Sequence, residues 1–175
     1  MSNKIYYGAG SSILTIGLTF GLLSYAQQQK APETQKHMDE MNKRGDQAMG
    51  FDHLKTTHHF ILAADGGTIK VEANDVKDEL SRDQIRMHLH HISMMFAEGN
   101  FEIPMLVHAE NPPGAEVMKQ HKSEINYQYK ETERGALVQI STANAEALQG
   151  VHDFLRYQIK EHRTGDPLEV TTKEQ

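Results

Sequence analysis

Twice along this chain, two short runs of alternating apolar residues flank a tight turn and lead into a helical stripe. In the first instance, residues 58–64 and 68–73 flank Asp65-Gly66-Gly67, a strong hairpin signal. Phe60, Leu62 and Ala64 share one face with Ile69, Val71 and Ala73 by period-2 alternation. His58 falls on that apolar face and His59 on the opposite one. A helix is expected over 81–98, where Ile85, Leu89, Ile92 and Phe96 recur at helical spacing and Gly99 supplies the stop. In the second instance Ile125, Tyr127 and Tyr129 alternate, Glu133-Arg134-Gly135 turns, and Ala136, Val138 and Ile140 alternate back. Thr142 or Asn144 then caps a helix with the stripe Leu148, Val151, Leu155 and Ile159, ended by Gly165 and Pro167. Two ββα units predict an α+β two-layer sandwich, one antiparallel sheet with helices packed on one face. The connector 100–123 holds an apolar run from Phe101 to Val107, a turn at Asn111-Pro112-Pro113-Gly114 and a short helix around Val117 to His121.

With 175 residues the chain has room for one compact domain. That domain is expected over 51–166, followed by a flexible tail over 167–175. The N-terminus reads differently. Lys4 precedes an uncharged run whose apolar centre is residues 13–23, and Ser24 and Ala26 follow as small residues two apart. This fits a signal peptide over 1–26 cut after Ala26, with a membrane anchor over 5–25 as the rival. Both readings place the remainder outside the cytoplasm, as a periplasmic protein that meets the membrane only through an uncleaved N-terminus. Residues 27–50 are polar and read as a tether or loose helix, which leaves His37, Met38 and Met41 without a part in a site. Without residues 1–26 the chain carries 17 basic against 24 acidic residues, a balance of -7, so no basic footprint for nucleic acid is present. Cysteine is absent, which excludes disulfides, thiolate metal sites and a Cys nucleophile.

Against that absence stand 11 His and 9 Met. His58, His88, His152 and His162 fall where apolar residues belong, and His108 ends the apolar connector at a position expected on the rim. A buried imidazole needs a partner for each nitrogen, and a carboxylate, a carbonyl or a metal serves. On the first helix Met87, His91 and Met94 form a stripe beside the core, with Met95 flanking it. Imidazole with thioether is the donor set that suits copper, better than zinc or haem iron. The expected metal ligands are therefore His58, His88, His108 and His152, with Met87, His91, Met94 and Met95 as an alternative soft site. His162, Tyr127 and Tyr129 are candidate contacts to a bound small ligand. The bland alternatives are a satisfied core histidine and methionine as packing filler. No HExxH, GxSxG, Walker A loop or dinucleotide glycine fingerprint occurs, so no catalytic residue is assigned. The leading expectation is a non-enzymatic exported protein that binds a transition metal, most plausibly copper. A small apolar ligand or haem between sheet and helices is the second expectation, and a His-dependent hydrolase or isomerase the third.

Three strings carry a resemblance: Thr56-Thr57-His58-His59-Phe60, His108 with Pro112-Pro113-Gly114, and the stretch from His152-Asp153-Phe154 through Glu161-His162-Arg163-Thr164-Gly165-Asp166. Over residues 49–168 the chain resembles a family of small exported bacterial proteins, some of them labelled aspartate carbamoyltransferase. The resemblance implies export and a single-domain unit and brings no activity with it. A carbamoyl-phosphate loop of that enzyme's Ser-Thr-Arg-Thr type has no counterpart in this chain.

Overall fold

The computed structural model describes residues 17–170. Most of the segment read as signal peptide or anchor, and the last residues of the tail, lie outside the described residues. Among the described residues no helix is long and apolar enough to cross a membrane. The elements run α1 (Gly17–Met49), β1 (Thr56–Ala63), β2 (Gly66–Ala73), α2 (Glu79–Ala97), α3 (Glu102–His108), α4 (Ala115–Gln120), β3 (Ile125–Glu131), β4 (Gly135–Thr142) and α5 (Ala145–His162). Two units are distinguished, Met1–His37 and Met38 onward. The second unit holds the last turns of α1 and every other element.

Each hairpin pairs with itself, and the two join through their inner strands, so the antiparallel sheet has the order β1-β2-β4-β3. Ile69 faces Val138 and Val71 faces Ala136 across the junction. Within the strands the inward set is the one that alternation assigns, because a one-residue slip would turn all of it to water, whereas Ala64, expected on that face, lies in the turn and is exposed. Leu62, Val71, Val138 and Ile140 are at most 1% exposed and meet Ile85, Leu89, Phe96, Val151, Phe154 and Leu155 from α2 and α5. Burying each such side chain contributes roughly 1.5–3 kcal/mol. The architecture is the expected α+β sandwich with its helices on one face of the sheet.

Boundaries differ from expectation where a side chain decides them. The first turn is Ala64-Asp65, and both glycines belong to β2. A Cβ on Gly66 would sit 2.1 Å from the Ile140 carbonyl oxygen, and one on Gly67 would sit 2.3 Å from Leu155 Cδ1. These glycines admit close packing of β2 against β4 and α5. Helix α2 starts at Glu79 because Asp78 Oδ1 accepts from the Ser81 N–H at 3.0 Å. Asn144 caps α5 through the N–H groups of Glu146 and Ala147, while the Thr142 hydroxyl donates to the Glu124 carbonyl. The segment read as a tether is helical through Met49, and Met41 is 1% exposed. Met38, Met41, Gly45 and Met49 fall at i, i+3, i+7 and i+11, one helical face.

Candidate functional site

Four histidines from four elements surround one cavity. His58 comes from the middle of β1, His88 from α2, His108 from the end of α3 and His162 from the last turn of α5. The space they border is about 60 Å³ and otherwise mostly apolar, with Phe60, Val71, Leu89 and Phe96 among its walls. His58 and His162 lie nearly parallel with ring centres 5.5 Å apart. His108 meets His162 edge-on at 5.1 Å. Phe51 lies between His58 and His88, 5.9 and 5.5 Å from their ring centres.

Burial sets the protonation of all four. It lowers the His58 pKa to about 4, helped by the neighbouring His59 and His53. It lowers His88 to about 4 as well, with His58 and His91 adding to the shift. His162 is pushed well below the usual range by burial, then by His58 and His108. His108 is also lowered by burial, with its Gln158 hydrogen bond and the Glu161 and Glu110 charges opposing. All four rings are therefore neutral at neutral pH, the state in which imidazole binds metals.

The rim position expected for His108 is not what forms: the residue is 4% exposed. Helix α3 leaves Met105 and Leu106 exposed and turns Pro104, Val107 and His108 inward. Its Nε2–H donates to Gln158 Oε1 at 3.0 Å, and its Nδ1 is buried with no hydrogen-bond partner. The proton on Nε2 leaves a lone pair on Nδ1. This is the arrangement of a metal-binding histidine, whose outer nitrogen is fixed by a hydrogen bond to a carbonyl. Against its ring lies Tyr157, whose hydroxyl donates to Glu110.

The other residues named from the sequence are elsewhere. His152 is buried, but its Nε2–H donates to the carbonyls of Ala63 and Gly66 at 2.9 and 3.1 Å, at the first hairpin turn. It does not line the cavity. Met87 is 70% and Met94 50% exposed, and His91 is exposed as well, so this stripe faces solvent. Met95 packs at the edge of the core. Tyr127 packs against Phe96 and Tyr129 against His90, and neither lines the histidine cavity.

What the sequence reading left out is the methionine face of α1. A cleft of about 320 Å³ is lined by Met38, Met41 and Met49 together with His53, His58 and His162. It shares Met49, His58, Val107 and His162 with the inner cavity. The Arg44 guanidinium holds α1 beside it by donating to the Val107 carbonyl at 2.9 Å. The signal for this face was present as the spacing of Met38, Met41 and Met49, hidden by the polar residues between them.

Among the described residues, one group brings three imidazole or carboxylate ligand atoms within 4.8 Å of one another: Asp46, Asp52 and His53. Local hydrogen bonds account for it. His53 Nδ1–H donates to Asp46 at 3.0 Å, and Asp52 accepts from the Leu54 N–H at 2.8 Å. No protein-family model matches this chain, and no curated protein or solved structure matches it.

Proposed function

We propose that this protein binds a transition metal through its inward histidines, as a non-enzymatic exported protein. The observation that carries the reading is the buried His108 Nδ1 lone pair, oriented by Gln158, in a cavity shared with three further neutral imidazoles. An unpartnered buried polar atom is costly, by roughly 1–3 kcal/mol, and a ligand that uses it recovers that cost. Space of about 60 Å³ suits an ion with a water or two. It is far smaller than the several hundred Å³ of a pocket for a drug-sized molecule, which argues against haem. Export is supported by the apolar run over 13–23 followed by Ser24 and Ala26. The test is calorimetric titration of the untagged protein with Cu(II), Zn(II) and, without oxygen, Cu(I). At least one of these ions is expected to bind at one per chain and to raise the melting temperature, and His108→Ala to weaken it. Occupancy far below one per chain for all three, with no shift in melting, overturns the reading.

A further inference from the structure

We propose that the methionine face of α1 makes this centre a Cu(I) site, with the Met49 thioether joining the inward imidazoles as a donor. The proposal rests on the metal-binding reading and adds the oxidation state and the soft ligand. Met49, His58 and His162 border both the inner cavity and the cleft, so the thioether-bearing residue and two of the imidazoles line the junction of the two spaces, with His108 beside them in the inner cavity. Met38 and Met41 continue the same helix face along the cleft, Met41 buried and Met38 half-buried, and Met38 gives an arriving soft ion a further sulfur.

Charge decides between ions. Neither the cavity nor the cleft is lined by a carboxylate, and Arg163 borders the cleft. Every available donor is neutral. The cost of taking an ion from water into such surroundings rises with the square of its charge, so a monovalent ion is tolerated far better than a divalent one. Donor number points the same way. No three of the inward histidines bring their nitrogens within 4.8 Å of one another, whereas Zn(II) takes a tetrahedral set of four donors. Thioether sulfur is a ligand for Cu(I) and adds nothing for Ca(II) or Mg(II), which need oxygen.

The full chain, purified without a tag and kept free of oxygen, is given Cu(I) in competition with a chromophoric Cu(I) chelator. Zn(II) binding is measured in parallel. Leucine at position 49 conserves side-chain volume, so Met49→Leu is expected to keep the fold, checked by circular dichroism. The wild type is expected to withdraw one Cu(I) per chain, and Met49→Leu to bind it roughly tenfold or more weakly with Zn(II) binding unchanged. Equal Cu(I) affinity in the two proteins overturns the thioether assignment and leaves the histidine reading intact. A parallel loss of Cu(I) and Zn(II) affinity in the variant also overturns it, because the substitution then acts on the cavity as a whole. If the wild type takes up no ion of any kind, the histidine reading and this proposal fall together. X-ray absorption at the copper edge of the loaded wild type needs no variant: a sulfur shell is expected, and nitrogen or oxygen alone overturns the proposal.

Discussion

His108 and His152 are both buried imidazoles, and the proton on each ring decides what each can do. Two carbonyls hold the Nε2 proton of His152, a complete structural role. Gln158 holds the Nε2 proton of His108, and Nδ1 is left with its lone pair unused. The pair therefore separates stability from binding. His152→Ala leaves both carbonyls without that donor and opens a void, and should cost roughly 2–4 kcal/mol of stability with metal affinity unchanged. Gln158→Leu frees the His108 ring from its tautomer and should cost roughly 10–100-fold in metal affinity. Its effect on stability should be small, since it also removes the unpartnered Gln158 Nε2. Thermal melts of the apo proteins and metal titrations of both variants check the two halves. From the sequence the two were indistinguishable in kind, each a histidine at a position that packing prefers to fill with carbon. What separated them was the partner across space, which periodicity does not report.

At the scale of elements, β1 is an edge strand with its outer backbone open to another chain. The chain closes part of that edge itself. Asp166, just beyond α5, accepts from the Phe60 N–H and from His59 Nδ1–H, both at 3.0 Å. Asp166→Ala should cost roughly 1–2 kcal/mol and speed amide exchange at Phe60 in particular, read by hydrogen exchange followed residue by residue. The same latch anchors the segment after His162, so metal binding should weaken slightly with it. Both hairpins, the α2 and α5 stripes and the helices-on-one-face arrangement were legible because each rests on a period of 2 or 3.6 in one stretch of chain. Two elements were not. Helix α1 presents methionine at i, i+3 and i+11, too sparse among polar residues to register as an apolar face. The connector's apolar run gave no periodicity, so only its packing turned His108 inward. The candidate site was half legible for the same reason: His58, His88 and His162 lie on regular elements, and Met49 and the buried state of His108 do not follow from any repeat.

For the molecule as a whole, closing helices over four neutral imidazoles ties stability to acidity. In the unfolded chain each histidine takes up its proton near pH 6.5, whereas folded His58 and His88 do so only near 4, and burial holds His162 well below its usual range. Between those values the unfolded state binds more protons than the folded one, so stability rises with pH across the window. The contribution is complete above about pH 6.5 and is lost as pH falls toward 4, at about 1.4 kcal/mol per pH unit for each such histidine. His121 works in the opposite sense, since its bond to Glu124 raises its pKa, and its contribution is lost as pH rises. It sits in solvent, where screening keeps the effect small. The metal-free protein should therefore melt at falling temperature from about pH 6.5 downward, with a slope that exceeds that of a single titrating group. Replacing His88 by Gln, a neutral side chain at any pH, should flatten the slope by about one proton. A melting temperature that stays level between pH 6.5 and 4.5 in the wild type would show that these rings are not held neutral by the fold. Because protons and a metal ion compete for the same lone pairs, the loaded protein should hold its melting temperature further into acid than the apo protein, and the two curves should meet where the ion is lost.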